Sequence, residues 1–224
     1  MNANQRNSNK IKRLTAVAMF CALAFALTYV KVPVSFLSLE IKDSVIVLCT
    51  LIFGPLAGLP IAIIVPLLEL ATHSSTGVYG LIMNMLSSVT FSMVTGVIYK
   101  YKRNFYGAIV GLLSGVFAVT AVMMLANLLV TPYYMGVPIQ TVISLIPKML
   151  LPFNLVKALL NGGVVLLLYK PLSDILKKTG LIQGRAQESI LEDARKKRIR
   201  SIVVTVVAAL VIIGSLLVIF MVLK

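Results

Sequence analysis

Charge is scarce in this sequence. Of 224 residues only 12% are Asp, Glu, Lys or Arg, roughly half the share usual in soluble domains. The deficit falls in long uncharged runs, which excludes a disordered chain and points to an integral membrane protein. Cysteine is scarcer: Cys21 and Cys49 are the only two, both inside apolar runs, which excludes a secreted disulfide scaffold. Histidine occurs once, as His73, and is read as a loop residue. Paired carboxylates, a Cys/His cluster, a Walker lysine and a Gly-rich nucleotide loop are all missing, and the loops are too short to fold into a catalytic domain. An enzyme is not expected, nor a metal site, nor a cofactor. If the chain pumps, its energy comes from a partner or an ion gradient.

Acids are outnumbered, seven against 21 Lys and Arg, for a net charge of +14. In a soluble protein that would suggest nucleic acid. Here the basic residues gather in clusters at Arg6–Arg13, Lys100–Arg103, Lys170–Arg185 and Arg195–Arg200, without interleaved aromatics. The charge is topological, and no nucleic-acid partner is expected.

What is present is a series of apolar runs, each judged against the roughly 20 residues that cross a bilayer. Leu14–Val30 is the first span, read as a retained helix because no small-x-small cleavage site follows it. Lys31–Asp43 is a loop. Ser44–Phe53 and Leu59–Ala71 are separated by Gly54-Pro55-Leu56-Ala57-Gly58, whose Gly and Pro favour two helices over one kinked one. Val78–Tyr99, Phe105–Val130 and Leu145–Tyr169 are the fourth to sixth helices, with Thr131–Ser144 a loop; Leu172–Arg200 is polar, and Ser201–Leu223 is a seventh, uncharged span. With the N-terminus in the cytoplasm, six crossings put the Lys100–Arg103 and Lys170–Arg200 clusters inside, as the positive-inside rule requires. Merging the second and third helices would put Lys100–Arg103 outside. The expected organisation is a cytoplasmic basic N-terminus over 1–13, a six-helix substrate-binding domain over 14–178, a charged cytoplasmic linker helix over 179–200, and an additional transmembrane helix over 201–224 of a multi-pass plasma-membrane protein.

Ionisable or polar residues inside spans are costly and mark function. In the sixth span Asn154, Lys157 and Asn161 fall within a sector of about 60°. One helix face thus offers a cation and two amides, a set suited to a polar heteroaromatic or polyhydroxyl ligand. Glu69 is the acid well inside an apolar stretch, and either pairs with Lys157 or Lys148 or faces the ligand. Asn84 shares a face with Ser87 and Ser88, and Asn127 with Thr120 and Thr131. Packing is the blander reading for these two sets, although Asn84 and Asn127 lie level with the sixth-span stripe. Tyr29, Phe36, Tyr79, Tyr133 and Tyr134 near the same end either stack on a planar ligand or form an interfacial belt. Ala18, Ala22 and Ala26 make a small-xxx-small stripe on the first helix, for internal packing or for docking another subunit.

Together these features resemble the substrate-binding S components of energy-coupling-factor (ECF) vitamin transporters, the riboflavin-specific members above all. The resemblance rests on Lys42-Asp43 and on Ile52-Phe53-Gly54-Pro55-Leu56-Ala57-Gly58. It rests equally on Ser74-Ser75-Thr76-Gly77 with Gly80 and Asn84, on Gly96-Val97-Ile98-Tyr99-Lys100, and on Pro152-Phe153-Asn154-Leu155-Val156-Lys157 with Leu168-Tyr169-Lys170. It spans roughly residues 10 to 178. It implies an all-α six-helix membrane bundle, here with one extra C-terminal helix, that binds riboflavin as transported ligand under a lid formed by Lys31–Asp43. It also implies docking through the alanine stripe to a transmembrane coupling subunit, with two cytoplasmic ATPases driving uptake. One stretch departs from the family pattern. Where many riboflavin members carry a Lys-Asn pair late in the third helix, this chain reads Pro66-Leu67-Leu68-Glu69-Leu70. A different vitamin or small solute, a stand-alone secondary transporter and a ligand-free assembly protein are the competing readings.

Overall fold

The computed structural model describes residues 3–178, 209 and 212–214. The linker over 179–200 and most of the expected seventh span Ser201–Leu223 lie outside the described residues. Within residues 3–178 the α-helices run in chain order as α1 (Ala3–Leu27), α2 (Lys42–Phe53), α3 (Pro55–Thr72), α4 (Gly77–Tyr101), α5 (Phe105–Met135), α6 (Ile139–Leu145) and α7 (Leu151–Lys178). A π-helical turn, Ile146–Leu150, joins α6 to α7 and contains Pro147, which cannot donate to a regular α-ladder. Four helical stretches among the described residues are long and apolar enough to cross a membrane: Pro55–Thr72, Gly77–Tyr101, Tyr106–Met135 and Ile139–Ile175.

The Gly-Pro break is real. Gly54 ends α2 at φ +96°, a backbone conformation L side chains rarely adopt, and Pro55 opens α3 where a missing N–H costs nothing. Ten consecutive residues of α2, Lys42 to Leu51, are buried. A helix buried on every side lies inside a bundle, and α1, α3, α4 and α7 all pack on α2. That position explains how so short a helix is kept. In lipid no water drives helices together, so close approach and van der Waals contact do. A Cβ on Gly115 of α5 would stand 2.2 Å from Thr95 Oγ1 and 2.8 Å from Phe91 Cδ2 of α4. Only glycine permits the α4–α5 contact at this spacing.

Three expectations are corrected. The segment Lys31–Asp43 is not an irregular loop, and the fold is not purely helical: β1 (Lys31–Val34) and β2 (Leu37–Glu40) form an antiparallel hairpin, with Lys31 opposite Glu40 and Val34 opposite Leu37. Ser35 turns the corner at φ +55°. Val34 and Leu39 are buried against Phe153, Val156 and Leu160 of α7, and Ile212 also packs on this cluster. A run of four residues per strand between two helices gives too few alternations to be legible as strand. The expected loop Thr131–Ser144 is largely helical, because α5 runs through Pro132 and α6 begins at Ile139. And α1 begins well before Leu14, taking in polar residues that no hydropathy window would include.

Candidate functional site

Three successive side chains organise the hairpin end of the bundle. Lys42, Asp43 and Ser44 occupy the first turn of α2 and are all buried. Successive residues on a helix diverge by about 100°, so the three reach three different neighbours. Lys42 Nζ lies 2.7 Å from Glu69 Oε2 of α3 and 2.5 Å from Glu40 Oε2 of the hairpin. Ser88 of α4 donates to Asp43 Oδ1. Ser44 donates through both N and Oγ, at 2.9 and 2.8 Å, to Asn161 Oδ1 of α7.

Asn161 also works in the other direction. Its Nδ2 donates to Glu40 O at 2.8 Å and to Lys157 O at 2.9 Å, so one fully buried amide ties α7 to α2 and to the hairpin. Ser38 Oγ donates to Glu40 Oε1 at 2.9 Å. Lys157 Nζ donates to Ser38 O at 3.3 Å. Burial alone would push the Glu40 carboxyl up. The Lys157 and Lys42 charges, with hydrogen bonds from Lys42 and Ser38, outweigh it and hold the group at about 2.

Of the residues singled out from sequence, this network gathers four. Glu69 and Asn84 meet directly, Asn84 Nδ2 donating to Glu69 Oε2 at 3.1 Å; Lys157 and Asn161 join through the hairpin. Glu69 pairs with neither Lys157 nor Lys148. Its partners are Lys42 and, at 3.9 Å, Lys31 of the hairpin, while Lys148 is exposed on the π turn. The other two residues stand apart from the network. Asn154 Nδ2 donates to Leu150 O at the end of the π turn and Asn127 Nδ2 to Met123 O on α5, each four residues back along the chain, and Thr131 donates to Asn127 Oδ1. Both amides are buried on faces turned into the bundle, as are Ser87, Ser88, Thr120 and Thr131.

Sequence reasoning missed Lys42 as the partner of Glu69, and Ser44, Glu40 and Ser38 as partners of Asn161 and Lys157. A signal existed: Lys42-Asp43-Ser44 directly precedes an uncharged helix, and three polar residues there either cap it in solvent or enter the bundle. Among the aromatics, Tyr79 and Tyr134 pack edge to face at 6.0 Å, while Tyr29 stacks on His73 at 4.0 Å. His73 thus ends α3 with a ring partner, its Nδ1 sharing a hydrogen bond with the Thr72 hydroxyl. On α1 the stripe Ala18, Ala22 and Ala26 is exposed, while Ala16, Phe20 and Ala24 face the core. The stripe therefore serves no packing within the described residues. No group of three or more His, Cys, Asp or Glu among them is placed to hold a metal ion.

A family model described as the substrate-specific component of ECF transporters matches residues 12–173. Riboflavin transporter RibU of Staphylococcus aureus (strain TCH60) is 31% identical over 194 residues, covering 80% of this chain and 100% of the relative. Riboflavin transporter FmnP of Bacillus subtilis (strain 168) is 28% identical over 173 residues, 71% of this chain and 91% of the relative. A solved structure of the S component of a bacterial ECF transporter superposes with a TM-score of 0.65 at 32% identity, over 75% of this chain and 99% of that one.

Proposed function

This chain belongs to the substrate-specific (S) components of ECF transporters, and from that premise we propose that it captures riboflavin at the hairpin end of the bundle for uptake driven by partner subunits. Two relatives matched over nearly their whole length are named riboflavin transporters, which supports the choice of vitamin.

Among the structural observations, the state of Lys157 carries the reading. Its ammonium has three donors and, among the described residues, one hydrogen bond, a long one at 3.3 Å. A half-buried cation with unspent donors, facing the Glu40 carboxylate of the hairpin, is poised for a polar ligand. Asn154, one turn before it, spends its amide on Leu150 O, a carbonyl already inside the helix ladder, and Asn127 does the same with Met123 O. Turning either amide to a ligand breaks no tie between helices. Asn161 and Asn84, by contrast, hold neighbouring elements in place. We assign Asn154, Lys157 and Asn127 to direct hydrogen bonding with the dioxo-pyrimidine edge, and Asn161 and Asn84 to the walls that hold them. Glu69 acts through Lys42. Tyr29, Phe36, Tyr79, Tyr133 and Tyr134 supply ring faces for stacking or capping, and the hairpin closes the site.

The same reading places six crossings within residues 14–178, with the N-terminus and the two basic clusters cytoplasmic, so that the hairpin faces outward. Residues 1–13 and 179–200 are then the cytoplasmic flanks, and 201–224 an accessory crossing. The outward-turned stripe Ala18, Ala22 and Ala26 docks a transmembrane coupling subunit, small side chains allowing a close helix–helix approach. Two cytoplasmic ATPases power the cycle, since the chain carries no nucleotide-binding loop.

The test is a full-length preparation in detergent from cells grown with riboflavin. A flavin absorbance spectrum that co-purifies, and saturable one-to-one quenching of flavin fluorescence after stripping, are the expected results. A colourless protein that ignores flavins would move the chain to another solute within the same family.

A further inference from the structure

Lys42 lies between two carboxylates that belong to different parts of the structure. Glu69 is on α3 and is held there by the amide of Asn84 on α4. Glu40 is on the hairpin, whose other fastenings are a small apolar cluster, the bonds from Asn161 and Lys157 to main-chain oxygens, and a longer pair from Lys31 to Glu69. Lys42 itself comes from the helix at the centre of the bundle and is fully buried. One partner of the ammonium is therefore fixed, and the other moves whenever the hairpin lifts.

We propose that Lys42 is a switch cation for the hairpin, shared between the moving carboxylate of Glu40 and the fixed carboxylate of Glu69, so that the lid releases without leaving a buried charge unpaired. The proposal rests on the reading of the hairpin as the lid over bound riboflavin. Its physical basis is the cost of stranding a charge. Removing one partner of a buried ion pair leaves an uncompensated ion, a penalty far above the net worth of the pair. With Glu69 present, lifting the hairpin takes Glu40 away and Lys42 keeps a counter-ion at 2.7 Å. Without Glu69, Glu40 is the one carboxylate left in direct contact with the lysine; the adjacent Asp43 acts on it without contact and is engaged by Ser88, so opening takes away the last direct counter-ion. Glu69 also faces Lys31 of the hairpin, at 3.9 Å and with the lysine partly exposed. Screened pairs of that kind contribute little, so the buried pairing sets the sign. The family departure at Glu69 acquires a role here: the acid late in α3 answers the cation at the start of α2. Glu40, Lys42 and Glu69 are positioning residues, acting on the ligand through the lid.

The two carboxylates then have opposite effects. Glu40→Gln removes the attraction that closes the hairpin, so riboflavin leaves faster and the amides of residues 31–40 exchange hydrogen faster. Glu69→Gln makes Lys42 depend on Glu40, so both processes slow. Truncating one partner of a buried charge pair changes off-rates, here by about tenfold or more in each direction. The experiment uses the full chain in lipid nanodiscs, with stopped-flow riboflavin release and ligand-free hydrogen–deuterium exchange of the hairpin, α5 serving as internal reference. Glu69→Asp, which keeps the charge but shortens its reach to Lys42, should slow both processes by less than Glu69→Gln. Exchange at the hairpin that rises in both variants, or in neither, overturns the switch. Opposed exchange in a protein that binds no riboflavin would keep the switch and remove the vitamin. If either glutamine variant does not fold, Glu40→Asp, which shortens the reach to Lys42, must still speed hairpin exchange.

Discussion

Asn161 and Asn127 are both buried asparagines on membrane-embedded helices, 0% and 1% exposed. Burial alone predicts that replacing either with leucine has the same effect. Hydrogen-bond accounting predicts otherwise. In Asn161→Leu, Ser44 Oγ and Glu40 O lose buried partners at 2.8 Å, while Ser44 N keeps a second acceptor in Ile41 O and Lys157 O keeps its place in the helix ladder. Two orphaned groups at about 1–3 kcal/mol each give a loss of roughly 2–6 kcal/mol. In Asn127→Leu, Met123 O remains in the α5 ladder, and the Thr131 hydroxyl can turn to its own preceding turn. The loss there is about 1 kcal/mol or less. At a few degrees per kcal/mol for a chain of this size, Asn161→Leu should lower Tm by roughly 5–15 °C and Asn127→Leu by a few degrees. The chain has no tryptophan, but Cys49 is fully buried in the core. Thermal exposure of Cys49 to a thiol-reactive dye, in a Cys21→Ser background without riboflavin, reports unfolding directly. Equal shifts for the two variants, or a larger shift for Asn127→Leu, would refute the accounting. The ligand affinities should run the other way relative to stability: Asn127→Leu is expected to weaken riboflavin binding in a protein that remains well folded.

Lys157→Ala should weaken riboflavin binding strongly while the protein still inserts and unfolds near the parent temperature; unchanged affinity in a quenching titration would remove Lys157 from the site. Glu40 provides a pH dependence whose sign is fixed. Its folded pKa of about 2 lies below the ordinary 4.5, so its contribution is complete above pH 4.5 and is lost as pH falls toward 2. The full contribution is on the order of 3 kcal/mol. Lys42 and Lys157 face this carboxylate, with Glu69 beyond Lys42. Hairpin protection, with exchange rates divided by the intrinsic amide rate at each pH, should therefore fall on acidification from pH 5 to 3, and Glu40→Gln should flatten that fall; an unaltered profile in the variant would assign the acid response elsewhere. Ala22→Leu, on the outward face of α1, should leave riboflavin binding intact and reduce co-purification of the coupling subunit. Full assembly with the leucine in place would move the docking face off this stripe.

The sequence alone determined the class of molecule, because hydropathy is a property of composition and run length. Uncharged runs, basic clusters and a Gly-Pro break lead to a helical membrane bundle with α2 and α3 as separate helices, without any tertiary information. The period of 3.6 residues placed Asn154, Lys157 and Asn161 on one face, and the structure turns that face into the bundle. What the tertiary structure decided was pairing. Seven acids cannot be matched to 21 bases by inspection, and Glu69 looked as well placed for Lys157 or Lys148 as for anything else. The pairing with Lys42 joins residues 27 positions apart, and nothing local encodes it. The hairpin was hidden for a related reason. Strands of four residues leave a trace in the sequence only when the faces they bury are known, and Val34 and Leu39 bury against α7, more than 110 residues further along the chain. Period and polarity act along the chain and can be read there. Counter-ions, hydrogen-bond partners and the outward turn of the alanine stripe depend on which helices come together, and only packing fixes that.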